Sequence, residues 1–373
     1  MTKVLMITYR FIFGGIEKLL LNIFENKSNP SIHYDLLTLI AETDNELIEK
    51  IKSLGVGYYS LELDKHSTLE RQFYHYKALY KFIKQNHYDV VHINITSYAR
   101  ALDMVIVKLA GVKTRIIHSH SADEILPFSR KILRPMRKLY DFSATDFFAC
   151  SDSAAQHLFS SDVFITKKYI VVNNGIEVKN YLFSSIDRDR IRHSLGIKKD
   201  TLLFGHVGRL TEAKNHLFLL KIISEVSKLK PNSKLLLVGD GELKNEIEKE
   251  INNLGIKNNV IMYGASSNIP ALLSSMDVFL FPSKWEGLGI SVVEAQCNGL
   301  PCYVSENVPQ TAVLTSNVYR FSTLKGARWW AREILSKVNK RVDETNKIVQ
   351  AGYDITCTVQ QLENIYVRNR KSL

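Results

Sequence analysis

The sequence predicts an α/β protein of two domains, each built on a parallel sheet, and three observations carry that prediction. Apolar runs of strand length alternate with stretches of helical periodicity almost throughout. The alternation occurs twice, once in each half. At 373 residues the chain is too long for one ordinary core and comfortable for two. Strand, helix, strand repetition implies parallel strands with helices on both faces, so each half is expected to be Rossmann-like.

In the first half the predicted strands are "KVLMIT" (3–8), "DLLTLIA" (35–41), "YYSLEL" (58–63), "DVVHIN" (89–94), "TRIIHSH" (114–120), "DFFACS" (146–151) and "YIVVNN" (169–174). Amphipathic stretches separate them, such as "GIEKLLLNIFEN", with Leu19, Leu20, Ile23 and Phe24 on one face. The second half supplies "LLFGHVG" (202–208), "KLLLVGDG" (234–241), "VIMYG" (260–264), "VFLFPS" (278–283) and "PCYVSE" (301–306). The polar stretch "GIEVKNYLFSSIDRD" marks the boundary, giving domains 1–178 and 179–352 with an expected cleft between them. A last helix within 353–373, with Val359, Leu362, Ile365 and Tyr366 as its apolar stripe, is expected to pack back on the first domain.

Bulk composition narrows the function classes. Hydrophobic residues make up 45% and charged residues 23%, as in a soluble globular protein, and no apolar run approaches bilayer-spanning length. The N-terminus lacks a signal-peptide layout. Cys150, Cys297, Cys302 and Cys357 show no CxxC or His-paired spacing and are expected to be reduced core residues of a cytoplasmic protein. The net charge of +11 fits an anionic partner or merely a solvated surface. Nucleic acid is not expected, since no aromatic–basic array or known motif accompanies the charge. One segment, "SRKILRPMRKLYDF", carries Arg130, Lys131, Arg134, Arg137 and Lys138 between apolar residues, which suits the anionic inner face of a membrane or, alternatively, a solvated helix face.

Chemistry-bearing residues gather where strands are expected to end. In "SKWEGLGISVVEA", Glu286 sits in a glycine-bearing loop after a strand, and Glu294 about two turns into the next helix. Gly287, Leu288 and Gly289 present backbone amides at that helix start, while Glu286 can accept bonds from two neighbouring sugar hydroxyls. Glu294 would be costly to bury unpaired, and a ribose is a reasonable partner; a lip salt bridge and a helix-surface carboxylate are the alternatives. "GHVGRLTEAKNH" places Arg209 and Lys214 around a helix N-terminus, as a diphosphate site would, or as two solvated basic side chains. "LLLVGDGELKNEIE" repeats the pattern with Gly239, Gly241 and a helix opening at Glu242; the glycines permit close approach by a flat ligand, or simply a tight turn. Gly14 and Gly15 open a helix directly after the first strand, and His118 and His120 end another strand. No third ligand stands near the histidines for a metal. Neither GxGxxG nor GxxxxGK[ST] occurs, which disfavours a dinucleotide oxidoreductase and a P-loop enzyme. Asp187-Arg188-Asp189 has the DxD pattern but falls in the boundary stretch or at a helix start, and is read as chance.

Together these stretches resemble the retaining, metal-independent glycosyltransferases of family 4, of the GT-B fold, over nearly the whole chain. The most specific element is the E-x7-E signature at Glu286 and Glu294 in "FPSKWEGLGISVVEAQCNGLP". "GRLTEAKNH" resembles the G-R-x4-K segment, "GGIEK" the N-terminal glycine loop and "VVNNGIE" the N-G segment at Asn174 and Gly175. "RIIHSHS", "SENVPQTAVL" and "WWAREIL" resemble exopolysaccharide and capsule transferases; the loop after "SENVPQ" lacks the family's common glycine pair. The resemblance implies Arg209 and Lys214 on the donor diphosphate, Glu286 at the donor sugar, Glu294 on the ribose, and His120 against the sugar with His118 as an alternative register. It further implies a UDP-sugar donor carrying a hexose or N-acetylhexosamine, a glycan or polyprenyl-diphosphate-linked acceptor, and no cofactor or metal. A sugar-nucleotide epimerase or hydrolase of the same fold, and an inactive nucleotide-sugar-binding protein, are the rival readings.

Overall fold

The computed structural model describes residues 1–11, 14–40, 44–61, 68–96, 100–120, 134–337 and 340–368. It divides the chain into two units, one formed by Met1–Ile176 with Gly352–Leu373 and the other by Glu177–Ala351. The sequence placed these breaks at 178 and 352.

The first unit holds a seven-stranded sheet of β1 (Thr2–Thr8), β2 (Ile32–Thr38), β3 (Gly57–Ser60), β4 (Val90–Ile95), β5 (Thr114–Ser119), β6 (Asp146–Ala149) and β7 (Ile170–Val171). Their spatial order is β3-β2-β1-β4-β5-β6-β7, and every pairing is parallel. The second unit orders its six parallel strands β10-β9-β8-β11-β12-β13, with β8 (Leu202–Val207), β9 (Ser233–Val238), β10 (Val260–Gly264), β11 (Val278–Phe281), β12 (Cys302–Ser305) and β13 (Val318–Phe321). Strand order reverses between β1 and β4 in one sheet and between β8 and β11 in the other. In open parallel sheets a ligand crevice forms outside the carboxyl ends of strands at such a reversal.

Apolar burial explains the helices. The helix Gly15–Glu25 buries Leu19, Leu20, Ile23 and Phe24 in a cluster with Val4, Met6 and Leu36. Ile355, Val359, Leu362 and Tyr366 of the helix Ile355–Arg368 enter the same cluster, with Ile365 partly buried beside it. Glu363 on that helix accepts from Ser28 Oγ at 2.6 Å and from the Ser28 amide at 3.0 Å. In the second unit Phe204, Leu220, Ile223, Leu235, Leu280, Tyr303 and Trp330 form the core.

Several expectations need correction. Strand β13, "VYRF", was not expected: only its last residue is buried, so it carries little apolar signal. β7 is two exposed residues rather than a strand over 169–174. The polar stretch 175–189 contains a 3-10 turn, Val178–Tyr181, and the start of the helix Ser185–Ser194. Asp187 is in that helix and pairs with Arg190 at 2.6 Å. Cys150, Cys297 and Cys302 are buried, but Cys357 is exposed on the outer side of its helix. Among the described residues no helix is long and apolar enough to cross a membrane.

Candidate active site

In the second unit the loops after β8 and β11 leave adjacent strands at the point of reversal, and short-range bonds tie them together. The Lys284 amide donates to the Ala213 carbonyl at 2.7 Å. Asn215 Nδ2 donates to the Pro282 carbonyl at 3.0 Å, from a residue held at φ +56, a conformation asparagine tolerates better than most. Lys284 Nζ meets Glu212 at 3.0 Å, and Lys214 Nζ meets Glu286 Oε1 at 2.6 Å. Lys214 and Glu286 are largely withdrawn from water, with side chains 18% and 8% exposed. The ammonium also sits 4.7 Å from the Phe281 ring centroid, where a π face attracts a cation.

Beneath this pair, His206 stacks on Phe281 with ring centroids 5.3 Å apart. Its Nδ1–H donates to the Leu280 carbonyl at 2.8 Å, leaving Nε2 buried without a partner among the described residues. Burial, then the neighbouring His216, pushes its pKa well below the ordinary histidine value, so the ring is neutral under the lysine. Arg209 is exposed at the loop's edge and makes no ion pair among the described residues.

The loop after β11 turns into the helix Ile290–Cys297 through Gly289, whose φ of +82 a side chain would strain. Because the helix begins at Ile290, Glu294 stands about one turn in, not two. It is 2% exposed and accepts from Tyr181 Oη at 2.9 Å. Burial, then Glu294, raises the Tyr181 pKa, so the phenol keeps its proton and donates. Neighbouring polar side chains fix the helix itself. Gln296 donates to the Ala312 carbonyl at 2.7 Å and accepts from the Leu314 amide at 2.8 Å, while Asn298 donates to the Tyr181 carbonyl at 2.8 Å. Gln310 accepts from Arg320 at 2.7 Å. Tyr181→Phe is therefore expected to lower stability by about 1–3 kcal/mol, the cost of leaving a buried acceptor short of a donor; a reduced urea midpoint at unchanged slope is the check.

The remaining residues of this unit divide. Leu288 is buried and Gly287 half-buried in the same loop. Gly239 and Gly241 admit the chain's own backbone: a Cβ on Gly239 would lie 2.0 Å from the Gly208 oxygen, and one on Gly241 2.6 Å from the Leu210 oxygen. They let the loop after β9 press against the loop that bears Arg209. Glu242 is exposed and precedes the helix Lys244–Asn253 instead of opening it. Sequence reasoning missed Tyr181, Phe281, His206 and Gln296. Phe281 was legible as the last apolar residue before Pro282, whereas Tyr181 gave no local signal.

In the first unit Gly14 caps the helix Gly15–Glu25 after β1, and a Cβ on Gly15 would meet nothing within 4 Å. His118 is the next-to-last residue of β5 and His120 directly follows the strand. His120 Nε2 donates to Asn94 Oδ1 at 3.0 Å, and the His118 and His120 ring centroids are 3.9 Å apart. Burial and then His120 push His92 down to about 3. Burial also pushes His120 down to about 3, against an opposing effect of Asn174. His118 lies well below its ordinary value through burial, then His120 and His92. The unfolded chain takes protons on these rings from about pH 6.5 downward, while the folded chain resists them to about pH 3. Stability is thus complete above that upper value and is lost as pH falls. Between about pH 7 and pH 5.5 each ring is expected to remove roughly 1 kcal/mol, read from urea midpoints at the two values.

Of the basic segment, Arg130 and Lys131 lie outside the described residues, and Arg134 begins a 3-10 turn. Lys138 is exposed, but Arg137 is half-buried and donates to the Phe159 carbonyl at 3.5 Å. Among the described residues no group of three or more His, Cys, Asp or Glu side chains is arranged to hold a metal.

Comparison with known proteins accords with this geometry. Residues 187–353 match the family described as Glycosyl transferases group 1. The chain is 30% identical over 363 residues to the putative glycosyltransferase EpsF of Bacillus subtilis (strain 168), covering 95% of this chain and 93% of the relative. It is 25% identical over 375 residues to the Escherichia coli UDP-Gal:alpha-D-GlcNAc-diphosphoundecaprenol alpha-1,3-galactosyltransferase, covering 95% and 94%. Among solved structures, Anabaena Alr3699/HepE in complex with UDP and glucose superposes with a TM-score of 0.78 at 20% identity, over 100% of both chains. The chain therefore belongs to the group 1 glycosyltransferases, of family 4 type, and has the GT-B fold.

Proposed function

We propose that this glycosyltransferase moves a hexose or N-acetylhexosamine from a UDP-sugar to a polyprenyl-diphosphate-linked glycan in cell-surface polysaccharide synthesis. Transfer proceeds with retention and without a metal ion. The observation that carries the reading is the Lys214–Glu286 pair at the β8/β11 reversal, in the loop that leads into the helix bearing the buried Glu294. A nucleotide sugar offers each of these groups a partner: diphosphate for Lys214 and exposed Arg209, sugar hydroxyls for Glu286, ribose hydroxyls for Glu294. The UDP donor and the lipid-linked acceptor are supported by the E. coli relative, whose name gives UDP-Gal and a diphosphoundecaprenol acceptor, and by the UDP-bound HepE structure.

In the step itself the bond from the anomeric carbon to the phosphate oxygen breaks, and its electron pair stays on the UDP. Lys214, Arg209 and the amides at Gly287–Gly289 meet that charge. The acceptor hydroxyl forms the new bond on the same face, and its proton passes to the departing phosphate. By the family resemblance, His120 is assigned to the transferred sugar, and the open helix start at Gly14 and Gly15 to the donor phosphates. Lys138 and its basic neighbours hold the enzyme at an anionic membrane, where a polyprenyl acceptor is anchored.

A thermal-shift screen against UDP, GDP, ADP and their sugar conjugates tests the donor, since ligand binding to the native state raises the midpoint by mass action. Stabilisation by UDP and one UDP-sugar is expected, and no shift with any nucleotide overturns the reading. Product analysis with a synthetic polyprenyl-diphosphate sugar, with and without added magnesium or EDTA, tests acceptor, anomer and metal. Retention at anionic liposomes that fades with salt tests the membrane contact.

A further inference from the structure

We propose that Tyr366, on the helix Ile355–Arg368, is a positioning residue for His120 and acts through a buried chain of two histidines, His92 and His118. The proposal rests on the assignment of His120 to the sugar site made above.

Four aromatic side chains from two strands and one helix meet in sequence. Tyr366 Oη lies 2.6 Å from His92 Nδ1, and His92 Nε2 lies 3.2 Å from His118 Nδ1. The His92 and His118 rings stack at 5.3 Å, and His118 stands 3.9 Å from His120. Period-2 alternation sets this up: His92 and Asn94 project from one face of β4, His118 pairs with Asn94 on the same face of β5, and His120 follows directly after that strand. Phe148 closes the chain with edge contacts to both inner imidazoles, at 5.7 and 5.9 Å. His92 and His118 are each 1% exposed. An apolar residue would fill either position without needing hydrogen-bond partners, so these polar rings require another account.

The order of donors supplies one. The Tyr366 phenol keeps its proton, because burial, followed by Tyr34 and Glu363, raises its pKa well above the ordinary value. Among the described residues two acceptors lie within reach of that hydroxyl, Met6 Sδ at 3.9 Å and the nearer and more basic His92 Nδ1 at 2.6 Å; donation to His92 leaves the His92 proton on Nε2, which donates in turn to His118 Nδ1. The His118 proton is thereby placed on Nε2, a buried atom without a partner among the described residues. Next to it, His120 donates its own Nε2–H to Asn94 and leaves Nδ1 without a hydrogen bond of good geometry among the described residues, although Asn174 lies close enough to act on the ring. Tyr366 thus sets which nitrogen of His118 carries the proton beside His120. Without the hydroxyl both inner rings are free to exchange tautomers.

The test uses the full-length protein with histidine labelled in its ring nitrogens, and the variants Tyr366→Phe, His92→Phe and both together. In the unaltered protein, NMR should show His118 as a single neutral tautomer protonated on Nε2. Tyr366→Phe should move the His118 ring-nitrogen signals toward the mean of two tautomers. Turnover is followed as UDP released from UDP-glucose, or from whichever nucleotide sugar the stabilisation screen selects. Its kcat should fall roughly three- to tenfold, the rate equivalent of one hydrogen bond's net worth, with the donor KM little changed. Because Tyr366 acts through His92, the double variant should be no slower than His92→Phe alone. Unmoved His118 signals in Tyr366→Phe, multiplicative losses in the double variant, or altered signals with undiminished kcat would each overturn the proposal. The underlying reading fails separately: undiminished turnover in His120→Ala removes His120 from the sugar site, whatever the His118 spectrum shows.

Discussion

Lys214→Ala is expected to lower kcat on the order of 10²–10³-fold and to weaken UDP binding at the same time. Such a factor follows from removing one preorganised group aimed at charge that develops as the leaving group departs. The ammonium is held where its charge is strongest, over the Phe281 ring and only 18% exposed. Its loss also strands the Glu286 carboxylate, which has no other ion-pair partner among the described residues. A buried charge left without its partner costs more than the pair contributed, so the ligand-free variant should also be less stable by about 1–3 kcal/mol. Steady-state rates, calorimetric UDP affinity and a urea titration measure the three effects. A variant with unchanged kcat would remove Lys214 from the diphosphate site.

Glu286→Gln is expected to have the opposite effect on binding and a similar effect on rate. The amide keeps the shape and still accepts from Lys214, so stability should fall by no more than about 1 kcal/mol. The anionic charge beside a diphosphate site disappears, and UDP should bind up to roughly fivefold more tightly, about 1 kcal/mol of relieved repulsion. Transfer should nonetheless fall by about 10²–10³, because a neutral amide does not stabilise the positive charge that develops on the sugar ring. Tighter UDP binding with collapsed kcat would mark Glu286 as a group used in the transition state. In a double variant with Lys214→Ala, stability losses should fall short of additive, since the two side chains share one contact.

What the sequence disclosed follows a physical divide. The strands flanking the site were legible because buried parallel strands are apolar runs, and because proline and glycine punctuate their ends. The E-x7-E and G-R-x4-K spacings were legible because each lies within one strand–loop–helix unit. Glu286 meeting Lys214 needed only the reversal of strand order to bring the two loops together. Tyr181 was not legible: it reaches Glu294 across 113 residues, and no local pattern encodes that approach. Tyr366 and His92 are 274 residues apart for the same reason. Gly239 and Gly241 were legible as sites of close approach, but that the approach includes the chain's own backbone at Gly208 and Leu210 was not. The strand β13 escaped because its exposed edge carries no alternating pattern, and Glu242 because the helix after it begins later than its charge implied.

The helix Ile355–Arg368 has a consequence for how the protein is made. Ile355, Val359, Leu362 and Tyr366 complete the cluster built around Val4, Met6 and Leu20, yet they leave the ribosome only after the whole of Glu177–Ala351. Domains ordinarily fold in the order of synthesis, the N-terminal one first. Here the unit Glu177–Ala351 is continuous in sequence and can close before the segment after Gly352 is made, whereas the unit containing Met1–Ile176 waits for the helix Ile355–Arg368. The apolar face of the nascent β1 and of the helix Gly15–Glu25 stays uncovered throughout that interval. Ribosome stalling before Ile355 should therefore leave a protease-resistant second unit joined to a chaperone-dependent first one, inverting the usual polarity of folding during synthesis.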